Sequence, residues 1–233
     1  MAILDALQSA AVRLTGIRPS VFFTSSERYE LELCDMLNDV AADIHKYNDW
    51  QNLYNVYNIP IDGKTDVFDL PADYDRMITT AGITDPHMFI CGFPHIVNIN
   101  DFMLLKNGGY VGLFGKAWTI YKNQIHFTKA PDSEQAIFPY ISRNYAVAQN
   151  GAEKPAFTED TDTFLIANSD RLLTLGLVWR WRENKKLDFT GDQENFMTLL
   201  DQIAGKDKGS DVYRRTSRTR FFNAYYAWPF QLG

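Results

Sequence analysis

Two stretches near the start of the chain have apolar residues at the three- and four-residue steps of an amphipathic helix. The first covers residues 2–14. The second covers about 25–48, and Thr24 and Glu27 fit a capping box at its start. We expect the other face of this second helix to be exposed and acidic, with Glu32, Asp35, Asp39 and Asp43 among its residues.

Farther along, the pattern changes to the short segments, rich in β-branched and aromatic residues, that are typical of strands. Gly, Pro, Asn and Asp separate these segments, which cover 52–60, 65–70, 86–91, 96–105, 110–121, 124–130 and 135–147. In the clearest hairpin, Trp118 and Ile120 alternate on one strand and Ile125 and Phe127 on the next, around a turn at 122–124. Because no helical pattern lies between the segments, we expect an antiparallel sandwich or barrel rather than a parallel sheet.

After this β segment, apolar residues again recur at the three- and four-residue steps of a helix. Asn168 is the expected N-cap of one helix, and Thr190 with Gln193 fits the capping box of a second helix that ends near Gly205. This order of elements predicts an α+β fold in which the N- and C-terminal helices form a helical bundle with an inserted antiparallel β-sandwich or barrel-like domain. The predicted domains are the bundle at 1–50 and 165–205, the inserted β domain at 51–164 and an extended C-terminal arm at 206–233.

The composition of the 233 residues, 45% hydrophobic and 22% charged, is that of a globular protein with enough apolar residues for one or two cores. No apolar run is long enough to cross a membrane. The N-terminal residues lack the basic start of a signal peptide, and the two cysteines, Cys34 and Cys91, lie far apart. We therefore expect an intracellular origin and no disulfide framework.

Charge is distributed unevenly along the chain. Residues 206–220 contain six basic and two acidic residues, a net charge of +4, and because the total is −6 the rest of the chain carries −10. A basic arm is attracted to phosphate or to an acidic protein surface, whereas an acidic body is not attracted to nucleic acid. The candidate binding residues of the arm are Arg214, Arg215, Arg218, Arg220, Phe221, Phe222, Tyr225, Tyr226, Trp228 and Phe230.

The sequence contains no pattern of a catalytic, metal or cofactor site. The four histidines are widely spaced and neither cysteine lies in a CxxC motif. Acidic clusters at 69–75 and 159–162 could hold a hard cation, but they lack calcium-loop spacing, and stabilisation of turns is the simpler interpretation. The glycine-rich stretch 107–116 departs from the Walker pattern, and no serine lies in a G-x-S-x-G motif. We predict a protein without enzymatic activity, metal or cofactor.

The motif WRWR at 179–182 places two tryptophans two residues apart, so that they face in different directions on a helix. In one interpretation each ring packs against a different neighbour in a tight bundle. In the other, this helix contacts another subunit, since Trp and Arg are frequent in interface hot spots. The two are compatible, and the candidate subunit-interface residues are Trp179, Arg180, Trp181 and Arg182.

Five phrases of the sequence, taken in order, point to a known family. They read GIRPSVFFTSSERY, LNDVAADIHKYNDWQNL, FDLPADYDRMI, FTEDTDTFLI and LLTLGLVWRWRENKKLDF. Over most of residues 16–204 the chain resembles the head-to-tail adaptor (connector) proteins of tailed bacteriophages, the group that includes the podovirus-type tail tubular protein A.

The resemblance implies a structural virion protein that forms a ring, typically of twelve copies, between the portal and the tail nozzle or tube at the head–tail junction. It also implies an extended C-terminal arm that docks on the portal. The expected partners are further copies of the chain, the portal protein and the nozzle or tube protein, with no membrane and with assembly in the cytoplasm of the bacterial host.

Genomic DNA would pass through such a ring without specific binding, because negative walls repel phosphates. The acidic face of the long helix supplies the candidate channel-lining residues, which are Glu32, Asp35, Asp39 and Asp43.

Two other functions are compatible with parts of the sequence. A DNA-binding virion protein would use the arm for phosphate contacts and base stacking, which the acidic remainder of the chain opposes. A virion-associated enzyme, such as a tail hydrolase, would need a catalytic constellation that the sequence lacks. The adaptor is therefore the first hypothesis.

Overall fold

The computed structural model describes residues 2–78, 81–85, 92–108, 116–132, 135–166 and 169–207. These residues form five α-helices and short strands that pair in antiparallel sheets, which confirms the predicted α+β class. The helices are α1 (Ile3–Thr15), α2 (Arg28–Tyr47), α3 (Ile99–Asn107), α4 (Asp170–Asn184) and α5 (Thr190–Asp207), with a 3₁₀ turn at Gln51–Leu53. The strands are β1 (Tyr54–Ile59), β2 (Val67–Asp69), β3 (Tyr74–Met77), β4 (Trp118–Tyr121), β5 (Gln124–Phe127), β6 (Ala136–Ser142), β7 (Ala146–Val147), β8 (Glu153–Lys154) and β9 (Thr163–Phe164).

The chain divides into two compact units. Of the described residues, we call 2–54 together with 142–207 the helical unit, and we call those within Asn55–Ile141 the β unit. The helical unit contains α1, α2, α4, α5 and strands β7 to β9, whereas the β unit contains α3 and most of the remaining strands.

Helix α4 is the central element of the helical unit, because α1, α2 and α5 all pack against it. Eight consecutive residues of α4, from Leu172 to Trp179, are therefore buried. Helices α1 and α2 bury the apolar stripes that the sequence predicts, with Leu7, Leu37 and Ile44 completely enclosed. The spacing of apolar residues thus identified both N-terminal helices correctly.

Gly176 allows α2 and α5 to approach α4 closely. A Cβ atom at this position would lie 2.4 Å from Val40 Cγ1 and 3.1 Å from Phe196 Cε2. The first distance is far shorter than a carbon–carbon contact of about 3.5–4.0 Å. Glycine costs stability in a helix interior, and here it is required by the packing of three helices.

The start of α2 differs from the prediction. The helix begins at Arg28 with Glu27 at the N-cap position, and no side chain caps it. The capping box of Thr24 and Glu27 is therefore wrong. Instead, the Ser25 hydroxyl oxygen accepts a hydrogen bond from the Glu27 N–H at 3.1 Å. Ser25, one residue after the predicted Thr24, is therefore the local hydrogen-bonding group at this helix start.

The starts of the two C-terminal helices also differ in detail. Asn168 lies outside the described residues, and the N-cap residue of α4 is Ser169, whose hydroxyl donates to the carbonyl of Ile166 at 2.6 Å rather than capping the helix. Thr190 is the first residue of α5 rather than its cap, and its N–H donates to the Asp188 carboxylate at 3.2 Å. Both helices are present as predicted, with different residues at their ends.

A small antiparallel sheet of order β8–β7–β9 belongs to the helical unit, although the sequence assigns its residues to the β segment at 51–164. The rings of Tyr145, Phe157 and Phe164 form a cluster with centroid distances of 5.6, 5.8 and 5.7 Å. The side chain of Asn38 on α2 accepts from the Phe157 N–H at 2.8 Å. This contact ties the sheet to the helices.

The β unit contains two three-stranded sheets, with strand orders β1–β6–β3 and β2–β5–β4. The hairpin β4–β5 has the predicted pairing, with Trp118 opposite Phe127 and Ile120 opposite Ile125. Its two-residue turn has positive φ angles, 50° at Lys122 and 61° at Asn123, as a type I′ turn requires. The buried aromatic residues of its core are Phe68, Phe93, Trp118, Phe127, Phe138 and Tyr140.

The strand predicted at 96–105 is wrong, because most of this segment forms helix α3. Asn98 is its N-cap, and its side chain accepts a hydrogen bond from the Asn100 N–H at 2.9 Å. Phe102 is the buried residue of α3, and its ring meets that of Tyr121 on β4 edge-on at 6.3 Å. The predicted strand at 86–91 and the first part of that at 110–121 lie outside the described residues.

Candidate functional site

The acidic face of α2 carries two kinds of carboxylate. Asp35 and Asp39 are exposed and have no ion-pair partner among the described residues. Glu32 and Asp43, in contrast, pair with cations of α4 and of the residue that follows it. Glu32 lies 2.6 Å from Lys185 Nζ, and Asp43 lies 2.5 Å from an Arg180 amino group.

These ion pairs change the electrostatics of the predicted channel-lining residues. Hydrogen bonds from Lys185 and from Arg28 lower the pKa of Glu32. The ionised form of Glu32 is therefore favoured, and neighbouring positive charges compensate both Glu32 and Asp43. The uncompensated negative charge of this part of α2 comes from Asp35 and Asp39.

A polar groove of about 440 Å³ follows the same contact between α2 and α4. The residues that line it include Met36, Asp39, Asp43, Lys46, Arg180 and Glu183. The groove brings together two sets of residues with different predicted roles, because Arg180 is a predicted subunit-interface residue and Asp39 and Asp43 are predicted channel residues.

The two tryptophans of the WRWR motif pack against different neighbours in the same chain. The ring centroid of Trp179 lies 6.4 Å from that of Phe189 and 5.9 Å from that of Phe196, and only 7% of Trp179 is exposed. The half-buried Trp181 meets Tyr29 of α2 edge-on at 6.4 Å. These are the contacts that the tight-bundle interpretation predicts.

Positive charges lie over both rings. The guanidinium carbon of Arg180 is 4.3 Å from the Trp179 ring centroid, and Lys185 Nζ is 5.6 Å from that of Trp181. Arg182 pairs with Asp192 at the start of α5. All four residues of the motif thus have partners within the helical unit, and their role between subunits stays a prediction.

The carboxylates of the acidic cluster at 159–162 accept hydrogen bonds from backbone N–H groups. The Asp160 carboxylate accepts hydrogen bonds from the N–H groups of Phe22 and Phe23 at 3.1–3.2 Å. The fully buried Asp162 carboxylate accepts from Lys154 Nζ at 2.7 and 2.8 Å and from the N–H groups of Thr158 and Glu159.

The acids of the cluster at 69–75 bind side chains rather than backbone groups. The Asp73 carboxylate accepts from the Tyr140 hydroxyl at 2.7 Å and from the Asn55 side chain at 3.1 Å, and Asp69 accepts from Gln124 at 2.7 Å. The predicted stabilisation of a turn is therefore confirmed at 158–162, whereas Asp69 and Asp73 bind side chains that are distant in the sequence.

Three histidines are packed against aromatic residues. His95 stacks on Trp118 at 4.3 Å, and His126 stacks on Tyr121 at 3.6 Å between ring centroids. Burial lowers the pKa of the His126 imidazole, and partial desolvation lowers that of His95, which is still exposed to solvent. His45 lies near Tyr145, with its Nε2 atom 2.8 Å from the Ser142 carbonyl oxygen.

In the described part of the chain, no group of three or more His, Cys, Asp or Glu side chains could hold a metal ion. The buried Cys34 thiol has a pKa raised to about 12 by burial, so it is not a nucleophile at neutral pH. His87 and Cys91 lie outside the described residues, as do the ten candidate portal-binding residues of the arm.

An exposed surface at the end of α1 has no distinctive pattern in the sequence. Its residues are Val12, Arg13, Ile17, Arg18 and Val21, all of them exposed. Short helices with scattered apolar residues are common, so only the three-dimensional arrangement of the loop after α1 draws attention to this surface.

No helix among the described residues has both the length and the apolar character of a membrane-spanning segment. The model of the SU10 adaptor protein family matches residues 1–220, which is nearly the whole chain and extends through the arginines of the arm. The chain belongs to the SU10 adaptor protein family. The adaptor is thus a structural head-to-tail adaptor of a bacteriophage, a component of the virion at the head–tail junction.

The membership agrees with the resemblance to phage adaptors, while the narrower grouping with tail tubular protein A stays a prediction. No curated protein matches the adaptor sequence.

Proposed function

We propose that the adaptor forms a ring of twelve copies between the portal and the tail nozzle or tube, and that its C-terminal arm docks on the portal. The observation that carries the proposal is the family match over residues 1–220. This match includes both the helical unit and the four arginines of the arm, and it ends before the aromatic residues that follow them.

The chemistry of the arm favours a protein partner. Arg214, Arg215, Arg218 and Arg220 are able to pair with carboxylates, and the aromatic residues that follow are of the type that fills hydrophobic pockets at interfaces. A chain segment with seven aromatic residues from Tyr213 to Phe230 gains from burial against a partner. The portal is the partner that an adaptor must hold.

Within the ring, the acidic face of α2 lines the channel. Asp35 and Asp39 are the residues best suited to this role, because they are exposed and carry no compensating ion pair among the described residues. Negative side chains at a channel wall repel DNA phosphates and reduce adhesion of the passing genome. Glu32 and Asp43 contribute less, since Lys185 and Arg180 neutralise them.

Two full-length variants test the docking of the arm. In the first, Phe221, Phe222, Tyr225 and Tyr226 are replaced by Ser; in the second, the four arginines are replaced by Ser. Both should lose co-purification with the portal, while a control with Asp101→Lys and Glu153→Lys, at exposed residues outside every surface proposed for binding, should bind as the wild type does. Unchanged binding of both arm variants would refute portal docking by the arm.

The same two variants also test the alternative function, in which the arm binds DNA. If the arm binds DNA, the wild type should bind DNA in a manner that weakens steeply with salt, and only the arginine-to-serine variant should abolish the salt dependence. The adaptor proposal predicts weak DNA binding in all variants.

A further inference from the structure

The surface at the end of α1, formed by Val12, Arg13, Ile17, Arg18 and Val21, is held in a fixed shape. Gly16 ends α1 in the left-handed conformation, with φ of 76°, and its N–H donates to the Val12 carbonyl. The Gln8 side chain then braces the loop from α1. Its amide donates to the Pro19 carbonyl at 2.9 Å and accepts from Arg18 Nε at 2.9 Å.

The far end of the same loop is also anchored. The N–H groups of Phe22 and Phe23 donate to the Asp160 carboxylate, and the Phe22 side chain is completely buried. Between these anchors Ile17 is 66% exposed and Val21 is 46% exposed. A loop that is fixed at both ends and presents apolar side chains loses little conformational entropy on binding, which favours its use as a contact surface.

This α1-end surface is basic as well as apolar. Arg13 and Arg18 are exposed, and neither has an ion-pair partner in the described ranges of the chain. Because two uncompensated positive charges lie beside Val12, Ile17 and Val21, a complementary partner surface would carry apolar side chains and carboxylates.

The outer face of α5 has the complementary composition. Glu194, Met197 and Asp201 follow one another at three- and four-residue steps, so they share one face of the helix, and each is exposed. The Tyr47 hydroxyl donates to Asp201, which adds an exposed aromatic ring to the same face. We call Tyr47, Glu194, Met197 and Asp201 the α5 surface.

We propose that the α1-end surface of one copy docks on the α5 surface of a second copy of this chain. Arg13 and Arg18 then face Glu194 and Asp201, and Ile17 and Val21 contact Met197 and Tyr47. This inference rests on the proposed ring, and it names the contact that closes it.

The two surfaces differ from each other, so the contact is head-to-tail rather than symmetric. They belong to two different helices, α1 and α5, both of which pack against α4. A head-to-tail contact leaves one free surface of each kind on every pair of copies, so further copies are added, and a ring forms when the rotation between neighbouring copies closes.

Charge reversal in the full-length protein tests the contact. One variant carries Arg13→Glu and Arg18→Glu, and the other carries Glu194→Lys and Asp201→Lys. Each places like charges across the contact and should weaken self-association at least about 100-fold, since like charges facing each other cost several kcal/mol. Sedimentation velocity and mass photometry, with and without the portal, measure the assembly.

A mixture of the two variants should assemble again. In an alternating ring, the acidic loop of the first variant meets the basic α5 of the second, and the unchanged surfaces meet at the next contact. A control with Arg143→Glu and Arg171→Glu changes the same charge at exposed residues outside both surfaces and should assemble as the wild type does. Thermal unfolding of each variant checks that its fold is retained.

Several results would overturn the inference. The inference fails if neither charge reversal affects assembly, or if mixing the two variants does not restore the assembly that each has lost. It also fails if the wild type forms no ring, either alone or on the portal. A ring that forms on the portal despite both reversals overturns this contact and leaves the proposed function intact. Reversals that behave as expected in a protein that never binds the portal overturn the proposed function alone.

Discussion

The helical unit and the β unit differ in what lies at their centres. In the helical unit, α4 is enclosed by the aliphatic stripes of its neighbours and is approached closely at Gly176. In the β unit, Trp118 is completely buried between His95 and Phe138, at centroid distances of 4.3 and 5.7 Å. The first core is built from spacing within each helix, whereas the second is built from rings that distant parts of the sequence bring together.

This difference has consequences for stability. A core of interlocking helices is sensitive to added volume, while a core of stacked rings is sensitive to the loss of a ring and to protonation of a buried imidazole. Substitutions in one unit should therefore leave the other largely unchanged, and the following predictions test that separation.

The largest effect is expected from Trp118→Ala. The indole is 0% exposed and its Nε1 donates to the Phe93 carbonyl at 3.0 Å, so truncation leaves a cavity and an unsatisfied carbonyl. The β unit should lose about 3–5 kcal/mol of unfolding free energy. Hydrogen exchange should show faster opening of β4 and β5 with α1 and α4 unchanged. Equal acceleration in both units would contradict their independence.

A loss of about 3 kcal/mol is expected in the helical unit from Asp162→Ala, which breaks a buried ion pair. The substitution removes the acceptor of Lys154 Nζ and of two backbone N–H groups. Denaturant unfolding measures the loss, and Asp162→Asn should recover part of it because the amide oxygen still accepts. An alanine variant with wild-type stability would show that the buried pair contributes nothing.

Gly176→Ala should destabilise the helical unit by about 1–3 kcal/mol, because the new methyl group overlaps Val40. Gly205→Ala in α5 is the matched control, since nothing lies within 4 Å of a Cβ atom there. That control should stabilise the protein by up to about 1 kcal/mol through helix propensity. Thermal unfolding of both variants measures the two changes in stability. A change of the same sign in both variants would be inconsistent with the close packing at Gly176.

A smaller effect is expected from pH. Desolvation lowers the pKa of His95 and His126, so the unfolded chain takes up protons before the folded β unit does. Their contribution to stability is complete above the ordinary histidine pKa of about 6.5 and is lost as the pH falls below it. Unfolding of the β unit followed between neutral and mildly acidic pH should show this loss, and His126→Gln should reduce it. A pH response identical in that variant would exclude His126 as a source.

The same contrast explains what the sequence could predict. The helices α1, α2, α4 and α5 were predictable because apolar spacing within one helix suffices, and the β4–β5 hairpin was predictable because alternation and a short turn are also local. Helix α3 was not, because Ile96, Val97 and Ile99 around its start resemble a strand, and the effect of Asn98 as a cap outweighs that local composition.

The candidate surfaces show the same limit. The acids of α2 could be listed from the sequence, but which of them are compensated depends on Arg180 and Lys185, more than 100 residues away in the chain. The anchoring of the loop after α1 depends likewise on Asp160. Tertiary partners of this kind leave no periodic signal, so both distinctions had to come from the structure.

Electron cryomicroscopy of the full-length adaptor assembled on its portal tests the central claim most directly. The account predicts a closed ring on the portal, with residues 211–233 in contact with portal subunits and with Asp35 and Asp39 facing the channel. A protein that stays off the portal, or a ring whose arm binds only DNA, would contradict it.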